Sequence, residues 1–349
     1  MFTMSKSKNK HNHLPFVSVC TPTFNRRPFI EMMFQCFRNQ TYPKSRMEWI
    51  IVDDGTDKIQ DLVNNSDISQ IKYFAIDKKM TLGAKRNFMH SKTTGDIIVY
   101  MDDDDYYPPE RVEHAVEALT LNTVAMCAGA SEIYVYFKHI QKMYQSGPYG
   151  PNHATAGTFA FRKQLLDDCR YDDGASLAEE RSFLKNFTIP MVQLDPLKTI
   201  LVFSHVHNTF DKRNMLNNTH PQYFRESPRS VSEFIRKSSE KQIHDFFMKD
   251  IDVLLSAYKP GEPAMKPDVL KQIKDIDAER NRMSAAQGQP QIMIEKPGEA
   301  RRPMTAQEIV ELLGQQHEQI RRLNARIREL ESAQTPSAIG QGVVSGTLG

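Results

Sequence analysis

The sequence predicts an α/β protein in which a mixed, mainly parallel sheet is flanked by helices and followed by C-terminal helices. Three observations predict this class. Short apolar runs rich in β-branched residues alternate with segments of helical spacing in the N-terminal half, which is typical of βαβ units. Polar residues follow three of these runs directly, as at the carboxyl ends of parallel strands where ligands bind. A heptad pattern near the C-terminus predicts a short coiled coil.

The predicted strands end at polar residues and alternate with the predicted helices. The first strand stops at Thr21-Pro22, and the following helix opens with a proline, which the first turn of a helix tolerates. The second stops at Asp53-Asp54-Gly55, and the fourth stops at four consecutive aspartates. The predicted strands are residues 16–20, 48–52, 71–76, 96–101 and 133–144, and the predicted helices are residues 28–38 and 82–91.

Composition divides the chain into five segments. Residues rich in Lys, Asn, Ser and His have little to bury and predict a mobile arm, whereas runs of Pro, Gly, Lys and Glu predict a linker. The predicted segments are an arm at residues 1–14, a main domain at 15–258 with a packing helix at 230–258, a linker at 259–304 with one short helix near 268–283, a helix at 305–332 and a disordered tail at 333–349.

The C-terminal helix has a start signal and a heptad pattern. Thr305 and Glu308 have the spacing of a capping box. Apolar residues then recur at alternating spacings of four and three, which favours a two-stranded coiled coil. The pattern predicts a homodimer through residues 309–330, and the alternative is a helix that packs on its own domain. The pattern consists of Ile309, Leu313, Gln316, Ile320, Leu323, Ile327 and Leu330.

Overall composition excludes several classes of protein. There are 45 Lys and Arg against 43 Asp and Glu, so the net charge of +2 argues against nucleic acid as a partner. No apolar run approaches the roughly 18 residues of a membrane span, and the N-terminus lacks the apolar stretch of a secretory signal. The four cysteines form no CxxC pair, so we expect a reduced, cytoplasmic protein.

The aspartate run Asp102–Asp105 is the strongest chemical signal. Four adjacent carboxylates repel one another, and a bound cation would relieve that repulsion. Hard oxygen ligands suit Mg²⁺ or Mn²⁺, whose other positions are commonly filled by water and substrate phosphates. The alternatives are a solvated acidic turn or a Ca²⁺ loop, although the spacing of an EF-hand is absent.

Two weaker motifs lie near the other predicted strand ends. Asp53 and Asp54 could accept hydrogen bonds from a base or a ribose, but Asp-Gly is also a common turn pair. In the segment LGAKRN, the small residues permit close approach, and Lys85 and Arg86 offer charge to a diphosphate. The alternative for that segment is a helix start with solvated bases.

Taken in order, these motifs resemble the family-two glycosyltransferases with the GT-A fold. The resemblance covers about residues 15–210, and its first and fourth pieces together are specific. The matching pieces are VSVCTPTFNR (17–26), EWIIVDDGTD (48–57), LGAKRN (82–87), GDIIVYMDDDDYYPPE (95–110), GTFAFRK (157–163) and LAEERSF (177–183). The resemblance implies a GT-A-like fold for residues 15–258 and Mn²⁺ or Mg²⁺ as cofactor.

The resemblance also implies site residues. Asp102 and Asp104 fall on the two spaced acids of the family's DXD-like motif, and Asp105 is the acid that commonly follows them. The family often has a third metal ligand, commonly His, in the late part of the domain. That ligand corresponds to His207 or His205 in this sequence, with His207 preferred. The implied nucleotide-sugar contacts are Thr21, Pro22, Thr23, Asn25, Asp53 or Asp54, Gly83, Lys85, Arg86, Asp102 and Asp103.

The catalytic base implied by the resemblance lies in the pair Glu179-Glu180. Glu180 matches the family's base, although it is Glu rather than Asp, and Glu179 remains a second candidate. Acids in the first turn of a helix are also favoured by the helix dipole alone. The implied reaction transfers a sugar from a nucleotide-diphosphate donor, a UDP-sugar for preference, to a hydroxyl of a glycan, protein or small molecule, with inversion.

Three other functions compete with this interpretation. A nucleotidyltransferase would normally have a Gly-rich basic loop after its first strand, where this chain has CTPTFNR. A non-catalytic scaffold that self-associates through its C-terminal helix would not need the intact acidic motifs. A metal-dependent phosphohydrolase would need more dispersed His and Asp ligands.

Overall fold

A computed structural model describes residues 14–177, 180–218, 220–286, 293–294 and 302–333. Residues up to Ile276 form one compact unit, and residues from Asp277 onward form a second. The arm expected at residues 1–14 and the tail expected at 333–349 lie outside the described residues, apart from Leu14 and Ala333. Within the described ranges, no helix has the length and apolarity to cross a membrane.

The first unit is built on a seven-stranded sheet in the order β3-β2-β1-β4-β8-β5-β9. Strands β1 to β4 run parallel, β8 is antiparallel to both of its neighbours, and β5 and β9 are parallel. This confirms the mixed, mainly parallel sheet. The strands are β1 Val17–Thr23, β2 Met47–Asp53, β3 Ile71–Ala75, β4 Ile97–Tyr100, β5 Cys127–Gly129, β8 Ala160–Arg162 and β9 Met191–Gln193.

Helices cover both faces of this sheet. Alternate residues of each strand point to opposite faces, and they divide between two apolar clusters. One cluster joins Trp49 and Val99 to helices α1 and α4, and the other joins Ile50 and Ile98 to Met89 of α3. All four cysteines are free and buried in these clusters or beside them. The helices are α1 Ile30–Asn39, α2 Gln60–Asn64, α3 Leu82–Lys92 and α4 Arg111–Leu121.

A second, four-stranded sheet has the order β10-β6-β7-β11. The single strand expected at residues 133–144 is a hairpin, because a turn at Lys138–Ile140 and the positive φ of Gln141 reverse the chain. A bridge between Tyr106 and Leu201 joins the end of the aspartate run to β10. The strands are β6 Ile133–Phe137, β7 Lys142–Ser146, β10 Leu201–Ser204 and β11 Phe224–Ser227, and short helices α5 Glu180–Phe183 and α6 Met215–Asn218 lie between them in sequence.

The packing helix expected at residues 230–258 is several short pieces. Two 3₁₀ turns, Val231–Glu233 and Ser238–Glu240, precede α7 Lys241–Asp245, a π turn Phe246–Asp250 and α8 Ile251–Ala257. Glu240 is buried and accepts a hydrogen bond from the Tyr106 hydroxyl at 2.8 Å. Phe247 stacks on Phe203 with ring centroids 4.1 Å apart. Contacts such as these with the second sheet and the chain beside it therefore decide the conformation of this segment, and they replace the expected continuous helix by short pieces.

The linker expected at residues 259–304 is partly a folded element. Residues 259–265 form two 3₁₀ turns and α9 spans Pro267–Ala286, close to the short helix expected near 268–283. The first unit includes residues 259–276, which make polar contacts with its loops. Composition indicated a linker because Pro, Gly, Lys and Glu dominate this segment, and composition does not reveal long-range hydrogen bonds and ion pairs.

The second unit contains the helix predicted from the capping box. Helix α10 spans Ala306–Ala333, and strands β12 Met293–Ile294 and β13 Arg302–Pro303 pair in an antiparallel ladder. The Thr305 amide donates to Glu308 at 2.8 Å, and the Glu308 amide donates to the Thr305 hydroxyl at 3.2 Å, which confirms the capping box.

Candidate functional site

The carboxyl ends of β1 and β4 meet beside a cavity of about 180 Å³. In the parallel register, Cys20 lies opposite Tyr100, so the loop after β1 faces the aspartate run after β4. The start of α3 and the C-terminal part of the first unit complete the wall. The lining residues are Pro22, Thr23, Phe24, Arg26, Leu82, Lys85, Arg86, Asp102, Asp103, Asp104 and Lys266.

Two residues expected beside the nucleotide have structural contacts instead. The Thr21 hydroxyl donates to the Met101 carbonyl at 2.6 Å and accepts from the Trp49 indole at 2.9 Å, both in the interior. Asn25 has a φ of 53° and accepts from the Asp57 amide at 2.9 Å. Its amide group also donates to the Pro260 carbonyl at 2.8 Å. These side chains hold the loops together around the cavity.

The two acids after β2 have different surroundings. Asp53 accepts hydrogen bonds from the amides of Gly55 and Ile59 and from the Tyr73 hydroxyl, at 2.7–3.1 Å, and thereby fixes the turn. Asp54 accepts from the Met80 amide at 2.6 Å and forms an ion pair with Lys85. Lys85 lines the cavity. Of the two acids, Asp54 is therefore the one that forms an ion pair with a residue of the cavity wall.

The segment LGAKRN forms the first turns of α3. Thr81 caps this helix by accepting from the Ala84 amide at 3.3 Å. A Cβ on Gly83 would lie 2.0 Å from the Asp172 carbonyl oxygen, so Gly83 permits close packing of the backbone. The Lys85 ammonium donates to the Thr23 carbonyl at 3.0 Å, and burial lowers the pKa of Lys85. Arg86 lies over the Tyr100 ring at 4.4 Å.

The aspartate run separates the first cavity from a second. Asp102, Asp103 and Asp104 line the first, whereas Asp102 and Asp105 line the second. Burial raises the pKa of Asp103 to about 7 against the opposing effect of Arg26. Burial and the neighbouring Asp104 raise the pKa of Asp105 well above its ordinary value. The run is therefore a desolvated acidic site and not a solvated turn.

Arg26 is a site residue that sequence reasoning missed. Its guanidinium lies 3.1 Å from Asp104 and 3.6 Å from Asp103, and it donates to the His207 carbonyl at 2.9 Å. Burial alone would raise the pKa of Asp104, but Arg26 and His205 hold it well below its ordinary range. The one signal in the sequence was a cation directly after the loop TPTFN.

The two candidate histidines, His205 and His207, have different surroundings. His205 is buried, and its Nε2 lies 3.3 Å from Asp104 and 2.9 Å from the Asn208 amide. Burial lowers the pKa of His205 to about 4, so the imidazole is neutral. The His207 ring faces Tyr258 at 6.3 Å between centroids. The geometry thus favours His205 over His207 as the partner of the acidic run, contrary to the preference from sequence.

The acidic run has the ligand types, but not the arrangement, of a closed metal site. Carboxylate oxygens and a neutral imidazole suit Mn²⁺ or Mg²⁺. Oδ1 of Asp105 and Nδ1 of His205 are buried without a hydrogen-bond partner among the described residues. In the part of the chain that the structure describes, however, no three His, Cys, Asp or Glu residues converge as metal ligands. The donors fit a metal that takes its remaining ligands from substrate and water.

The second cavity has a volume of about 390 Å³ and lies between the aspartate run and the second sheet. Most of its wall is apolar or aromatic, and Lys212 and His153 add polar groups. Its lining residues are Asp102, Asp105, Ile133, Val135, Ser146, Tyr149, His153, Thr155, Gly157, Thr158, Ile200, Val202, Phe210, Lys212 and Met215.

One candidate base, Glu180, lies at the start of α5. Glu180 is the first residue of that helix and is half-buried, three residues before the buried Phe183. Glu179 lies outside the described residues.

Comparison with known proteins gives a family match over the N-terminal part of the first unit. Residues 18–173 match the model of the family described as Glycosyl transferase family 2. That range contains the loops after β1, β2 and β4 and the start of α3.

Individual relatives match over shorter segments. An uncharacterized glycosyltransferase of Haemophilus influenzae is 28% identical over 120 residues, which cover 34% of this chain and 47% of the relative. The GalNAc(5)-diNAcBac-PP-undecaprenol beta-1,3-glucosyltransferase of Campylobacter jejuni is 33% identical over 97 residues. These residues cover 26% of this chain and 30% of the relative. The chain thus spans less than half the length of these relatives.

A solved structure also aligns with this chain. The mannosyltransferase PcManGT from Pyrobaculum calidifontis, in complex with GDP-Man and Mn²⁺, is 16% identical with a TM-score of 0.45. The alignment covers 55% of this chain and 57% of the mannosyltransferase.

The buried pair of Lys85 and Asp54 gives a prediction about stability. Asp54→Asn leaves the Lys85 ammonium buried without a carboxylate partner, so we expect the free energy of unfolding to fall by about 3–5 kcal/mol. The double variant Asp54→Asn, Lys85→Met removes the uncompensated charge and should recover part of the loss. Urea denaturation of the single and double variants measures both effects.

The matched control is Glu226→Gln, which breaks an exposed ion pair with Lys142. Such pairs contribute about 0–1 kcal/mol. If Asp54→Asn costs no more than this control, the Lys85–Asp54 pair does not stabilise the site.

Proposed function

Since residues 18–173 match the model of glycosyl transferase family 2, we propose that the protein is a metal-dependent glycosyltransferase. It transfers a sugar from a nucleoside-diphosphate donor, a UDP-sugar for preference, to an acceptor hydroxyl with inversion. One observation carries the proposal. The carboxylates of Asp102–Asp104 and the cations of Arg26, Lys85 and Arg86 surround one cavity at the carboxyl ends of parallel strands.

The donor would bind in the first cavity. Pro22 and Thr23 line it from the carboxyl end of β1, where they can contact the nucleoside. Lys85 and Arg86, at the start of α3, can donate charge-assisted hydrogen bonds to the diphosphate. Asp54 orients Lys85 through the ion pair, and Asp53 keeps the adjoining turn in place.

The metal, Mn²⁺ or Mg²⁺, would be held by Asp104 and His205, with Asp102 or Asp105 as a further carboxylate. The buried Oδ1 of Asp105 and the contact between His205 and Asp104 support this set. When bound, the metal stabilises the negative charge of the departing nucleoside diphosphate. Arg26 balances the charge of Asp103 and Asp104 in the same site.

The acceptor would bind in the second cavity, on the other side of Asp102. Glu180 is proposed as the base that removes the proton of the acceptor hydroxyl. The acceptor oxygen then attacks the anomeric carbon as the bond to the diphosphate breaks, in one displacement, so the configuration at that carbon inverts.

A panel of nucleotide sugars tests the proposed function. Wild-type protein with Mn²⁺ should release UDP or GDP from at least one UDP- or GDP-sugar, and chelation by EDTA should abolish the release. Asp104→Asn should slow it by about 100-fold, because a charge that stabilises the leaving group is lost. The exposed Asp252→Asn is the control. Absence of release from every donor would favour a non-catalytic scaffold, and release of pyrophosphate would favour a nucleotidyltransferase.

The role of Glu180 is tested separately. Glu180→Gln keeps the size of the side chain but removes its basicity, so transfer should slow by about 10²–10⁴-fold while the KM for the donor changes little. Steady-state kinetics of nucleoside diphosphate release from the donor that the panel identifies measure both parameters. Full transfer activity in Glu180→Gln would contradict the assignment and leave Glu179 as the candidate.

We also propose that α10 mediates homodimerisation. Its heptad residues Leu313, Ile320, Leu323, Ile327 and Leu330 are each at least half exposed within the second unit. A 28-residue helix with an exposed apolar stripe is better stabilised by a second copy than by water.

Paired substitutions test this proposal. Ile320→Asp with Leu323→Asp puts charge into the proposed seam, so a wild-type dimer should become a monomer in sedimentation analysis. The control is Gln315→Asp, an exposed polar position outside the seam. A monomeric wild-type chain at high micromolar concentration would contradict the proposal.

A further inference from the structure

We propose that residues 258–272, called here the C-terminal strap, complete the donor site and that Lys266 binds the donor diphosphate. The family match ends at residue 173, so this segment lies well outside it. The inference rests on the proposed function, because it assigns a residue to the same donor cavity.

The strap is fastened to loops on both sides of the cavity. At its start, the Tyr258 hydroxyl donates to Asp57 at 2.7 Å, and Asn25 donates to the Pro260 carbonyl at 2.8 Å. Both partners belong to loops that follow β1 and β2. A Cβ on Gly261 would lie 2.6 Å from the His207 ring and 2.9 Å from the Asn25 carbonyl, so the strap passes close to these loops.

The far end of the strap is fastened to a different part of the domain. Asp268 forms an ion pair with Lys79 at 2.6 Å, just before α3. Gln272 accepts from the Ser176 amide and donates to the Gly174 carbonyl, both at 2.9 Å. These contacts on both sides of Lys266 fix the position of its backbone. Its side chain can therefore extend only into the region of the cavity.

Lys266 extends from the strap into the site. It lines the first cavity together with Asp102–Asp104, and it also lines a neighbouring cavity of about 180 Å³. Its ammonium donates to the Thr209 hydroxyl at 2.9 Å and lies 5.7 Å from the centroid of the Phe24 ring. Lys79 and Lys85 approach the same ring at 5.3 and 5.9 Å.

This concentration of positive charge indicates a polyanionic ligand. Three lysine ammonium groups surround one aromatic ring, and two of them have carboxylate partners, Lys85 with Asp54 and Lys79 with Asp268. Lys266 instead donates to the neutral Thr209 hydroxyl. A desolvated ammonium group is costly to bury, and a phosphate at this position would offset that cost. Among donor groups, the diphosphate carries the charge that matches it.

Binding measurements on three variants test the assignment. Lys266→Met removes the charge, Lys266→Arg keeps it, and Lys241→Met is the control, since Lys241 is exposed in α7, outside the strap, and pairs with Asp245. Calorimetry with Mn²⁺ gives the affinity for UDP and GDP and for the nucleosides uridine and guanosine, and thermal denaturation without ligand reports folding. For the diphosphate that binds the wild type, Lys266→Met should weaken binding about 10- to 100-fold, the effect of one charge-assisted hydrogen bond.

The nucleoside measurements separate a phosphate contact from a general effect on the strap. Affinity for the nucleoside should be unchanged in Lys266→Met, and Lys266→Arg should recover part of the affinity for the diphosphate. Equal affinity of Lys266→Met and Lys241→Met for the diphosphate overturns the role of Lys266 and leaves the proposed function standing. An equal loss for nucleoside and diphosphate also overturns it, in favour of a structural role. A wild-type protein that binds neither diphosphate overturns the proposed function and this inference together.

Discussion

Burial of the aspartate run at the end of β4 is the constraint on which the rest of the site depends. Carboxylates removed from water must be neutralised by protons, by cations or by a metal. Arg26 is brought to Asp103 and Asp104 by the loop after β1, and His205 is brought to Asp104 by the chain after β10. Burial raises the pKa of Asp103 in spite of Arg26, and burial together with Asp104 raises the pKa of Asp105.

The same run connects the two sheets and divides the two cavities. Tyr106 continues directly from it into a bridge with β10, and the Tyr107 hydroxyl receives a hydrogen bond from the Asp102 amide at 2.8 Å. The acids are therefore held from both sides by the backbone. A donor on one side and an acceptor on the other would meet at Asp102, which lines both cavities.

Cations from distant parts of the chain gather on the donor side. Arg26, Lys85 and Lys266 come from three segments that are far apart in sequence, and each enters the wall of the first cavity. Because their charges act on the same small volume, a change in one alters the electrostatic potential felt by the others. This explains why a protein of near-neutral net charge can contain a strongly polar site.

The sequence by itself determined the alternating elements, the parallel strand ends and the acidic run, because these depend on local periodicity and on the order of residues along the chain. It also identified Lys85, Arg86 and Asp102–Asp104 as neighbours, since strand ends of a parallel sheet share one edge. Only the tertiary structure decided the places of Arg26, His205 and Lys266, and the structural contacts of Thr21, Asn25 and Asp53. It also showed that the first part of the expected linker is a folded segment, the C-terminal strap. Those outcomes depend on long-range polar contacts between loops, and such contacts have no periodicity that a sequence pattern can reveal.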